Sequence, residues 1–81
     1  MTRTLKDLGA GERAVVIAIE GTSSQRMMEM GITVGTTLQV RRIAPFGDPR
    51  EVIVRGYSLL LRNAEAANIL ITRCQEADTS Q

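Results

Sequence analysis

Apolar and polar residues alternate along this chain in short bursts separated by glycine and proline, which is the period of a strand rather than of a helix. Residues 37–41 give the cleanest case: Leu38 and Val40 take one face, Gln39 and Arg41 the other. The alternation then slips, because Arg42 would fall on the buried face, and this predicts a bulge or strong bend there. Residues 13–19 are β-branched on both faces, which fits a central strand or one that changes its buried side at a bulge; Val16 and Ile19 are the inward candidates.

Val52 and Val54 alternate with Glu51, Ile53 and Arg55, predicting a hairpin of 37–44 with 51–55. A turn at Gly56-Tyr57 leads into 58–62 with Leu59 and Leu61 inward, and Ile69 and Ile71 mark a final strand. Between the first two strands, Thr22-Ser23-Ser24-Gln25 has the form of a capping box that opens a short helix. Met27 and Met30 face its core side, Met28 points outward, and Gly31 stops it. Asn63 is a plausible cap for a second brief helix, and Leu5 and Leu8 can cover one end of the core from the opening segment 4–10.

Two prolines bracket Pro45-Phe46-Gly47-Asp48-Pro49 and close off both neighbouring strands, with Gly47 permissive between them and Asp48 able to close a turn. About five short strands and two short helices describe an all-β fold, a small barrel whose closure hides its edges.

At 81 residues the chain makes one domain, placed here at 1–74 with a polar tail at 75–81; a domain of this size buries only about 60 to 65% of its unfolded surface. One Tyr, one Phe and no Trp leave the core to aliphatic side chains. A net charge of +1 offers no field for a phosphate polymer or an anionic membrane. The start carries no secretion signal and no apolar run approaches a membrane span, so a cytoplasmic location without membrane insertion is expected.

The chain has no histidine, which removes the commonest general base and transition-metal ligand together. Its single cysteine, Cys74, reads as an inert thiol, and the methionines as packing beneath a short helix rather than a soft-metal site. Carboxylates are scattered singly, so neither a catalytic centre, a cofactor nor a resident metal is assigned; surface acids such as Asp48 and Glu51 can still take a stray divalent cation.

The runs Arg26-Met27-Met28-Glu29-Met30-Gly31-Ile32-Thr33-Val34-Gly35, Ala44-Pro45-Phe46-Gly47-Asp48-Pro49 and Val54-Arg55-Gly56-Tyr57-Ser58-Leu59-Leu60-Leu61-Arg62 stand in one order and spacing. Together they resemble the FeoA family of small ferrous iron transport proteins over 5–71. Two positions depart from the family pattern: Val34 stands where proline is usual before Gly35, and Arg50 where an apolar residue usually follows Pro49. Arg50 is expected to make the loop margin more polar.

The resemblance implies an SH3-like barrel that works beside the membrane transporter FeoB, whose cytosolic part binds GTP, without carrying iron itself. The expected role is a protein-binding module of ferrous iron uptake that regulates FeoB, with Met28, Phe46, Ile53, Arg55, Tyr57 and Leu60 as contact residues and self-association as a further option. An alternative is an SH3-like effector or interaction module of iron-dependent transcriptional regulation. Arg41, Arg42, Arg50, Arg55 and Arg62 also admit a weak nucleic-acid binder, disfavoured by the low charge and the lack of stacking aromatics. A third option has Arg55 or Arg50 donated in trans to stimulate GTP hydrolysis.

Overall fold

The computed structural model describes residues 3–22 and 24–73. Strands β1 (Arg3–Thr4), β2 (Arg13–Ile19), β3 (Thr37–Ile43), β4 (Arg50–Val54), β5 (Tyr57–Leu61) and β6 (Ile69–Arg73) form one antiparallel sheet in the order β1-β6-β2-β3-β4-β5. A 3-10 turn (Leu5–Asp7) follows β1, helix α1 (Ser24–Glu29) follows β2, and helix α2 (Asn63–Ala66) follows β5. The strand beyond the expected five is β1, whose two residues are too few to leave an alternating signal. The expected hydroxyl cap of α1 falls partly on Ser23, and Cys74 with the polar tail also lies outside the described residues.

One face of strands β2 to β6 supplies the core: Ala14, Val16, Leu38, Val40, Val52, Val54, Leu61, Ile69 and Ile71 are all buried. Leu5 and Leu8 close one end from the 3-10 turn, while Met27 and Ile32 seal the core from α1 and the segment after it. Ile19, Met30 and Leu59 pack against this cluster from partly buried positions. With a single sheet and a single inner face, burial requires the sheet to curl round its own side chains. The two register shifts, between Val16 and Ala18 and between Val40 and Arg42, supply the bends; the second matches the slip in the hydrophobic pattern at Arg42, and the first answers the open choice for β2 with a bulge.

The sheet's two terminal strands, β1 and β5, are not paired with each other. The gap is spanned instead by α2 packed on the 3-10 turn and by Arg50. Arg50 is not on a polar loop margin: it opens β4, is 5% exposed, and its Nη1 donates to the carbonyls of Leu5 at 3.1 Å and Leu8 at 2.8 Å. Its position follows from the ladder, since pairing with Ile43 and Leu61 continues the inward register of Val52 and Val54. Among the described residues, edge strand β5 makes no backbone–backbone hydrogen bond apart from its ladder to β4.

The turn between β4 and β5 falls one residue earlier than expected, on Arg55 and Gly56, with φ of 51° and 90°. Positive φ at both central residues is the twist that a two-residue hairpin needs, and it lets Tyr57 pair with Val54. In the proline-bracketed loop, Gly47 N–H donates to Ala44 O at 2.7 Å and Ala44 N–H to Pro49 O at 3.1 Å, across a cis Asp48–Pro49 bond. Asp48 does not close its own turn: its Oδ1 accepts the Asn63 N–H at 2.8 Å. Asn63 is accordingly the first residue of α2 rather than its cap, a position held by Arg62.

Candidate protein-binding surface

The six residues singled out in the sequence fall into three places. Ile53 and Leu60 lie on the outer face of the β4–β5 hairpin, where Ile53 stands opposite Ser58 and Leu60 opposite Glu51. They are therefore diagonal neighbours, roughly 7 to 8 Å apart by strand geometry and within reach of one apolar partner. Leu60 is 64% exposed and Ile53 is half-buried. The sequence register places these two correctly, although Ile53 offers less free surface than its outward position suggests.

Arg55 and Tyr57 meet at the end of α1, while Met28, on the helix itself, borders an apolar groove beside it. The Arg55 Nε donates to Gly31 O at 3.2 Å and its Nη2 to Thr36 Oγ1 at 3.3 Å, while the Tyr57 hydroxyl donates to Met30 O. A helix leaves its last carbonyls unsatisfied and carries partial negative charge there, so a guanidinium and a phenol from the neighbouring hairpin answer both needs. These two side chains hold the helix end as well as bordering the surface.

Phe46 stands apart at the tip of the proline-bracketed loop and is 96% exposed.

Two exposed residues were not anticipated, Ile17 and Val34. Val34 joins Ile19, Ser24, Met28 and Thr33 around a cavity of about 200 Å³ open beside α1. Gly35 N–H donates to Val16 O at 2.8 Å, which stitches the segment after α1 onto β2 next to Ile17. A strand apolar on both faces, such as β2, is the one signal that could have pointed here, because its second face has to lie against something or remain open.

The arginines are drawn into internal contacts. Arg41 and Arg42 both approach the single carboxylate of Glu51 at 3.9 Å, and Arg62 meets Asp48 at 3.8 Å. Arg26 pairs with Glu65, and Arg50 is buried. Arg50 is thus out of reach of any partner, which removes it as an arginine donated in trans. Among the described residues no three His, Cys, Asp or Glu side chains converge as a metal site, and no helix is long and apolar enough to cross a membrane.

Comparison with known proteins locates this fold. The FeoA domain family matches residues 3–73. A fusion of Fe(2+) transport protein A with the Fe(2+) transporter FeoB from Porphyromonas gingivalis is 33% identical over 94% of this chain, which spans only 9% of that protein. The NMR structure of a FeoA-like protein from Clostridium acetobutylicum superposes with a TM-score of 0.84 at 36% identity, over 89% of this chain and 86% of that one. FeoA of Stenotrophomonas maltophilia, solved with zinc and described as a prokaryotic SH3 domain protein, gives 0.78 at 25% identity over 86% of this chain and 89% of its own.

Proposed function

The chain belongs to the FeoA family, and from that premise we propose that it is a cytosolic accessory domain of bacterial ferrous iron uptake that docks on the GTP-binding region of a FeoB-type transporter. The observation that carries this reading is the Porphyromonas relative, in which a matching domain and the transporter are one polypeptide. Fusion holds two folds at a high effective concentration, an arrangement suited to partners that otherwise meet by binding. The domain performs no chemistry of its own in this reading. It changes transport by favouring one nucleotide state of its partner, which requires different affinities for the two states.

The docking face is the outer side of the β4–β5 hairpin, with Ile53 and Leu60 as apolar anchors and Arg55, Tyr57 and Met28 continuing it toward α1. Support comes from the diagonal placement of the two aliphatic residues and the exposure of Leu60. Titration calorimetry of the full chain with the transporter's GTP-binding region, loaded with GTP or GDP, tests the reading. The expected outcome is saturable binding that differs between the two states and weakens at least about tenfold, or about 1.4 kcal/mol, in the Ile53→Asp/Leu60→Asp double variant. Equal affinity of the double variant would move the interface elsewhere. Absence of binding in both states would remove the partner.

A further inference from the structure

Turn geometry fixes which backbone groups of β5 face away from β4. Arg55 and Gly56 form the two-residue turn, so Val54 and Tyr57 close it as a hydrogen-bonded pair, and hydrogen-bonded and open pairs alternate from there along the ladder. Val52 with Leu59 and Arg50 with Leu61 are hydrogen-bonded pairs, whereas Ile53 with Ser58 and Glu51 with Leu60 are open ones. The N–H and C=O of Ser58 and of Leu60 therefore point out of the sheet edge. Among the described residues none of these groups has a protein hydrogen-bond partner. Both residues are exposed, so water serves them.

These groups constrain anything that covers Leu60. The side chains of Ser58 and Leu60 stand on the outer face assigned above to the transporter, and their main-chain groups form its margin. A partner packed on Leu60 strips water from that margin, and a buried donor or acceptor left unpaired loses its hydration without return. The two residues are about 6.8 Å apart along the edge, each with one donor and one acceptor in the plane of the sheet. An extended backbone matches that spacing and supplies both kinds of group; a helix does not, because its main-chain groups are spent on its own ladder. No charged residue, proline or bulge in β5 turns an incoming strand away.

We propose that the transporter meets this domain by adding an extended segment of its GTP-binding region to the free edge of β5. The inference rests on the docking reading above and states how that face is used. Main-chain bonds to Ser58 and Leu60 hold the segment, and an apolar side chain on it opposite Leu60 enlarges the outer patch of Ile53 and Leu60.

Amide hydrogen exchange tests the proposal, read by NMR on the isotope-labelled full chain alone and saturated with the transporter's GTP-binding region. In the free chain the Ser58 and Leu60 amides should exchange fast and those of Leu59 and Leu61 slowly. In the complex the Ser58 and Leu60 amides should slow by at least about tenfold. Ser58→Pro removes one free donor without touching Ile53 or Leu60, at an edge position where proline is tolerated, and should weaken binding at least about tenfold, while Ser58→Ala binds as the wild type does. Saturable binding with both amides still fast, or with Ser58→Pro at full affinity, would overturn the added strand and leave side-chain docking intact. Protection of both amides that grows with the concentration of the free chain would assign the edge to a second copy and overturn the proposal. Absence of any binding would overturn the docking reading and this inference together.

Discussion

Arg50 places a full positive charge among aliphatic side chains with two backbone carbonyls for company and, among the described residues, no carboxylate and no partner for its Nε. A guanidinium in such a site forfeits hydration, and charge-assisted bonds to carbonyl dipoles return part of that loss. Removing it would take that donor from the Leu8 carbonyl, leave the Leu5 carbonyl with the Leu8 N–H alone, and open a void beneath them. Arg50→Ala is therefore expected to destabilise the fold by about 3 kcal/mol. Arg50→Met keeps an apolar stem and discards the desolvation cost, so its loss should be roughly half as large. Urea unfolding of both variants checks the order, and equal losses would show that the hydrogen bonds contribute nothing beyond packing. The sequence marks position 50 as unusual after Pro49 but assigns it to the surface, because an arginine in a strand is ordinarily a solvated residue. Only the continuation of the Val52 and Val54 register by one more pair shows that it points inward.

Among the elements, α1 depends most on its neighbours. Its six residues are too few to be stable alone, so packing of Met27 and the contacts at its end hold it in place. Gly31 terminates it with φ of 91°, and a Cβ there would lie 2.6 Å from the Tyr57 hydroxyl oxygen. Gly31→Ala is thus penalised twice, by left-handed strain of about 1 to 2 kcal/mol and by displacement of the phenol from the Met30 carbonyl. In a Tyr57→Phe background the second penalty is absent, so the Gly31→Ala cost should fall; a double-mutant cycle read by thermal unfolding measures the difference, and strict additivity would contradict the contact. The pattern of the chain reveals this helix, its inward methionines and its glycine stop. The hairpin side chains that fasten it stay hidden, because Arg55 and Tyr57 lie far along the sequence and read locally as turn and surface. The bulge at Arg42, by contrast, is visible as a local break in alternation, while in β2 a bulge was one of two readings of residues apolar on both faces.

At the scale of the whole molecule, the core and the pairing of β3 with β4 and of β4 with β5 were legible, because β3 and β4 alternate and β5 and β6 each set two aliphatic residues two apart against one interior. The closure of the sheet was not, since it rests on a two-residue strand, a single turn of 3-10 helix and one buried side chain, none of which has a period. Most candidate contact residues were picked singly for exposure, whereas Ile53 and Leu60 follow from the outward register of two pairing strands, and the sheet sets them as diagonal neighbours. One consequence follows from β5, Tyr57-Ser58-Leu59-Leu60-Leu61, which ends the sheet without a charge, a proline or a bulge to discourage another strand from adding to it. Such a segment is a template for cross-β growth once neighbouring structure loosens. Purified protein held near its unfolding temperature should therefore deposit thioflavin-positive fibrils, and Leu60→Lys should suppress them while leaving the melting temperature nearly unchanged. Storage life in concentrated solution would then be limited by that one unguarded strand rather than by the strength of the core.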